Sequence, residues 1–114
     1  MAPAFHAPGP RRAAAATLAG VARYIIERTW DDLDEQAMDQ AGARSKRIAE
    51  EHFPQIRWEH SHVVMDSEGT IKSFCVYDAP ETDVLYKHAD ELGQHLVDRI
   101  FEIAGDISPR DFPT

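Results

Sequence analysis

The chain has 114 residues, 43% of them hydrophobic and 28% charged, which suits one globular unit with one core and is too little for two ordinary domains. Twelve basic against twenty acidic residues leave a formal net charge of −8. That balance argues against nucleic acid and anionic membrane surfaces as partners, because both are held by clustered Lys and Arg.

Residues 1–21 are rich in Ala, Pro and Gly without a hydrophobic period, and are expected to form a flexible tail with a short helix over 13–18 at most. Arg11-Arg12 followed by four alanines has the look of a twin-arginine export signal. Only Leu18 and Val21 are large and aliphatic before the first strand, so the apolar region of such a signal is missing. A lone cysteine, Cys75, makes no internal disulfide, and the expected location is the cytoplasm.

Arg23 to Trp30 is β-branched and aromatic, with consecutive apolar side chains, and predicts the first strand. Asp32 and Glu35 have capping-box spacing and open a helix that runs to about His52, with Leu33, Ala37, Ala41 and Ile48 inward and Pro54 just beyond its end. Ile56 to Met65 and Thr70 to Tyr77 predict two strands joined by the polar turn Asp66-Ser67-Glu68-Gly69. Asp78-Ala79-Pro80-Glu81 begins a second helix whose stripe is Val84, Leu85, His88, Ala89 and Leu92, and Gly93 is its natural stop. Arg99 to Ile103 alternates as a last strand.

The order β-α-β-β-α-β is the α+β, ferredoxin-like pattern: a four-stranded antiparallel sheet with two helices on one face. The folded domain is expected over 22–105, with a C-terminal tail over 106–114. The other sheet face needs a cover, and a second copy of the chain is the expected one, giving a homodimer.

Phosphate-binding glycine loops, CxxC pairs, nucleophile elbows and HExxH helices do not occur in the sequence. What stands out is His60-Ser61-His62 on the second strand, Cys75 on the third and His88 on the second helix. Imidazole and thiolate are ligands for borderline and soft transition metals, and such groups can converge where a helix crosses a sheet. Strand alternation puts His60 and His62 on one face. Paired across the hairpin, His60 and Cys75 would have Cβ atoms ~4.5–5.5 Å apart, but a shift of one residue would put them on opposite faces. Each residue also has an ordinary reading: Cys75 as a small core residue, His88 as a hydrogen-bonded core histidine, and His60 and His62 as cross-strand partners. His52 and His95 suit surface or capping roles, and His6 belongs to the tail. Glu27, among Ile25, Ile26 and Trp30, needs a partner: a basic residue on a neighbouring strand, a protonated histidine or a metal. Arg28 points to the opposite face.

Taken together, Glu27-Arg28, Trp58, His60-Ser61, Cys75, Ala79-Pro80, His88, Gly93 and the Asp98/Ile100/Glu102 ending resemble a small bacterial nickel-binding, ferredoxin-like family long catalogued as a domain of unknown function. The resemblance covers about residues 22–104 and implies a dimeric ferredoxin-like fold able to bind nickel. His62 stands where that family more often has Tyr, and His95 where a Pro is usual after Gly93.

Two functions are therefore expected to compete. The first is nickel binding for sequestration or metal response rather than catalysis, with His60, Cys75 and His88 as ligands and His62 and Glu27 as further ligands or orienting partners. Such a site would also take Cu(II) or Zn(II). The second is a small-molecule-binding enzyme of the dimeric α/β-barrel type, with His60 or His88 as general base, Glu27 as its acid or orienting partner, and Tyr77 or Ser61 donating to a substrate carbonyl. A nucleophilic Cys75 fits less well, since apolar surroundings suppress the thiolate. An interaction domain with purely structural histidines is the third reading.

Overall fold

The computed structural model describes residues 20–31 and 33–112; the tail helix and the Asp32 cap considered above fall outside them. Four strands and two α-helices follow in the expected order: β1 (Ala22–Trp30), α1 (Glu35–His52), β2 (Arg57–Met65), β3 (Ile71–Ala79), α2 (Thr82–Leu92) and β4 (His95–Glu102). The strands form one antiparallel sheet in the order β2-β3-β1-β4, so β1 and β3 are central, which is the ferredoxin-like arrangement. No described helix is long and apolar enough to cross a membrane.

Side chains alternate along the central strands, and this fixes the two faces. Tyr24, Ile26, Arg28 and Trp30 of β1, with Ser73, Cys75, Tyr77 and Ala79 of β3, are all buried and face the helices. Against them α2 packs the stripe Val84, Leu85, His88, Ala89 and Leu92, every member of it buried. Burying a Leu or Ile fully, as for Leu85 and Ile26, contributes about 1.5–3 kcal/mol each.

Helix α1 is capped one residue before its start, where Asp34 Oδ1 accepts from Ala37 N at 2.7 Å. Its buried residues are Ala41, Ser45 and Ala49, spaced by four. The inward line is therefore narrower and smaller than the Leu33/Ala37/Ala41/Ile48 stripe read from the sequence; Leu33 and Ile48 are half-buried at its flanks. Small side chains leave unfilled space between α1 and the edge strand β2, whose residues are exposed except for half-buried Ser61.

The β2–β3 hairpin turns on Asp66, whose Oδ1 accepts from the N–H groups of Glu68 and Thr70, both at 2.9 Å. Helix α2 stops at Gly93, at φ 69° and ψ −173°, and Gln94 also has positive φ. The last strand consequently starts at His95, four residues earlier than its alternating pattern suggests. Beyond it, Ile103 N–H donates to Arg23 O at 2.7 Å, and Asp106 pairs with Arg23. The segment expected as a tail is thus tied to β1 at its first residue, Asp106, and a 3-10 turn at Pro109–Asp111 follows with a Ser108/Asp111 capping box.

Candidate functional site

The register of the hairpin decides which candidate side chains can meet. Trp58 pairs with Tyr77 and Ser61 with Cys75, while His60 pairs with Val76 and His62 with Phe74. A bulge between Trp58 and His60 absorbs Glu59 as an extra residue. Trp58 and His60, two apart in sequence, therefore lie on opposite faces: Trp58 with the helices and His60 with the open face. Cys75 thus pairs with Ser61 rather than with His60, and the close His60/Cys75 approach considered from the sequence does not occur.

On the open face the His60 and His62 rings lie 5.3 Å apart at 83°, edge to face, on an exposed strand. Glu59 Oε1 is 3.6 Å from His60 Nδ1 and also accepts from Arg23 NH2 at 2.7 Å. The hydrogen-bonded Arg23 guanidinium holds the Glu59 carboxyl below the usual carboxylate range, and Glu59 and Asp106 in turn raise Arg23. Glu27 is equally occupied: Lys72 Nζ lies 2.9 Å from one oxygen, and Arg99 donates to the other from Nε at 2.9 Å and NH2 at 2.8 Å. Lys72 and Arg99 together hold its carboxyl low. Lys72 bridges on to Asp98, which accepts from Thr29 Oγ1 at 2.6 Å. Of the partners expected for Glu27, those present are basic residues on neighbouring strands.

Cys75 and His88 belong to the other side of the sheet. Cys75 is buried, with its thiol near Ser73 Oγ and Arg28 NH1, both at 3.4 Å. His88 is wholly buried, its Nε2 3.1 Å from Ser45 O and its ring against Phe53 and Tyr77. Burial keeps the His88 imidazole below the ordinary histidine range, and its Nδ1 has no hydrogen-bond partner. His52 is an exposed partner of Glu91 at 2.6 Å, and His95 stacks on Trp30 at 4.6 Å between centroids while its Nδ1 lies 2.8 Å from Gly93 O.

The sheet thus separates the five residues singled out from the sequence: Glu27, His60 and His62 lie on the open face, Cys75 and His88 on the helix face. Among the described residues, no group of three or more His, Cys, Asp or Glu side chains is placed to hold one metal ion. The acid–base arrangement of the enzyme reading is not assembled either. His60 and His88 are on opposite sides of the sheet, and both Glu27 oxygens are held by cations.

Arg28, which the sequence places opposite Glu27 without a functional role, is the residue the structure adds to the candidates. Arg28 is 2% exposed, has no ion pair among the described residues, and leaves Nε and NH2 without a hydrogen-bond partner. It lines a cavity of about 430 Å³ between α1 and strands β1–β3, together with Trp30, Trp58, Ser61, Cys75 and Tyr77. The signal was present in the sequence. Arg28 has the parity of Tyr24, Ile26 and Trp30, so a strand with those residues inward must carry a guanidinium inward too.

Residues 24–103 match the sequence profile of the family described as Nickel responsive protein SCO4226-like. No curated protein matches the chain.

Proposed function

This chain belongs to the Nickel responsive protein SCO4226-like family, and on that premise we propose that it is a cytoplasmic nickel-binding homodimer acting in metal sequestration or response. The observation that carries the reading is the His60/His62 pair, two imidazoles 5.3 Å apart on an exposed strand of an acidic chain. Neutral imidazole nitrogens suit Ni(II), and two from one strand fit part of a tetragonal shell. They do not fill it, and the remaining positions fall to a second copy facing the same open surface. That surface is suited to pairing, because exposed Val64, Leu96 and Phe101 lie beside the ion pairs of Glu27 and Arg23. Cys75 and His88, buried behind the sheet, hold the core in this reading, and Glu27 orders the open face through Lys72 and Arg99.

The test is calorimetric titration of the metal-free protein with Ni(II), Zn(II) and Cu(II), with oligomeric state followed by light scattering. Micromolar or tighter nickel binding is expected, weakened at least tenfold by His60→Ala or His62→Ala and unchanged by Cys75→Ser. Loss of binding in Cys75→Ser or His88→Ala, with the strand variants unaffected, would move the site to the helix face and refute the assignment.

A further inference from the structure

The helix face holds a second feature that nickel binding leaves unused. Between α1 and strands β1–β3 lies the cavity of about 430 Å³, within the range of roughly 300–1,000 Å³ common for small-molecule sites. Its walls are mainly aromatic and aliphatic: Trp30, Trp58, Tyr77, Met38 and Leu92. Trp58, 37% exposed, and Val63, 54% exposed, stand at the edge-strand side, where β2 is uncovered and a ligand can enter.

Into this apolar wall the fold sets one guanidinium. Arg28 has a single weak hydrogen bond, from NH1 to Cys75 Sγ at 3.4 Å, and its carbon lies 5.6 Å from the Tyr77 ring centre. Nε and NH2 are buried without acceptors among the described residues. Among the described residues the only acid along the cavity is Asp39, exposed on α1, and it makes no ion pair with Arg28. By contrast Arg23, Lys72 and Arg99, on the open face of the sheet, each have carboxylate partners there. A cation buried in apolar surroundings without a counter-charge is costly, and such groups are normally paired. The missing partner has a definable chemistry: an anionic oxygen acceptor, for which the planar guanidinium is the favoured donor, on a body that is flat and apolar enough to lie among two indoles and a phenol.

We propose that this cavity binds a small organic carboxylate with an aromatic or similarly flat apolar body, its carboxylate neutralising Arg28. The site is independent of the metal reading. It lies behind the sheet from His60 and His62, and its test needs no nickel.

Phenylacetate serves as the probe, titrated into the full-length, chelator-treated protein by calorimetry and by thermal melting, with phenylacetamide as the neutral isostere and acetate as the bare anion. Saturable binding of phenylacetate with a raised melting temperature is expected, at least tenfold stronger than either control. Arg28→Met should erase the preference for carboxylate over amide. Gly42→Leu supplies a second variant: Gly42 lines the cavity inside α1, and a Cβ there meets no atom within 4 Å, so a side chain can occupy the space with the helix intact. It should reduce binding at least tenfold in a folded protein. Equal binding of acid and amide, equal binding of acetate, unchanged affinity in both variants, or no saturable binding at millimolar phenylacetate would each overturn the proposal.

Discussion

Replacing Arg28 by Met tests the energetics of the buried cation without any ligand. The substitution removes one N–H···S bond of 3.4 Å, worth at most about 1 kcal/mol, and the stacking of the guanidinium over Tyr77, worth about as much. It also removes two buried donors that have no acceptor, each costing about 1–3 kcal/mol, and an uncompensated charge. Methionine is unbranched and adapts to the same space. The balance favours the variant by about 1–3 kcal/mol. For a domain of this size that is a rise in Tm of about 4 °C per kcal/mol. Urea and thermal unfolding of both proteins, monitored by circular dichroism, measure it. A variant less stable than the parent by more than about 1 kcal/mol would show that Arg28 is satisfied within the fold, and the argument from its missing partner would fall.

Two further outcomes follow from the same side of the sheet. Burial holds the His88 and His95 imidazoles below the ordinary histidine value of 6.5. As the pH falls below 6.5 the unfolded chain takes up protons that the folded chain refuses, so stability declines from pH 7 toward pH 5, by at most about 1.4 kcal/mol per pH unit for each histidine. His52, raised by Glu91, acts in the opposite sense but is solvent-exposed and screened, and the lowered Glu27, Glu59 and Asp98 carboxyls act only at more acid pH. Urea titrations between pH 5 and 8 should show this decline, reduced in His88→Gln; a flat profile would contradict the buried neutral imidazoles. Gly93→Ala places a Cβ at φ 69° and ψ −173°, a region open to glycine almost alone, and should cost about 1–3 kcal/mol in thermal melts. An unchanged Tm would mean that the turn relaxes.

Periodicity disclosed most of the fold and little of the site. The α2 stripe was legible because Val84, Leu85, His88, Ala89 and Leu92 recur on one helical face, and all five are buried. Only the end of β4 shows in the sequence because His95 and Asp98 break its hydrophobic alternation; a register shift falls between the partners of Glu27 and Arg28, and the Asp98 side chain turns to Thr29 and Lys72. The bulge at Glu59 was hidden for a related reason. Parity along Trp58, His60 and His62 gives one face only in an unbroken ladder, and no local propensity marks where a ladder admits an extra residue. The offset of His60 from Cys75 is set instead by the hairpin turn, since the ladder runs unbroken from Met65/Ile71 to His60/Val76, and no periodicity along one strand reports that register.

Charge sorting across the sheet explains why its two faces should receive different partners. On the open face the cations Arg23, Lys72 and Arg99 are matched against the anions Glu27, Glu59, Asp98 and Asp106, in a chain of net charge −8. Those ion pairs alone hold one excess negative charge beside two imidazoles, a setting that attracts a divalent cation and repels an anion. On the helix face the one buried charged group among the described residues is Arg28, which favours the reverse. Glu27 and Arg28 are consecutive residues of one central strand, so the alternation of a β-strand alone sends a carboxylate to one surface and a guanidinium to the other. Among the described residues only the carboxylate finds its counter-ions. The polarity that would favour the proposed metal at His60 and His62 is thus built by the same two residues that leave a cation waiting beneath α1.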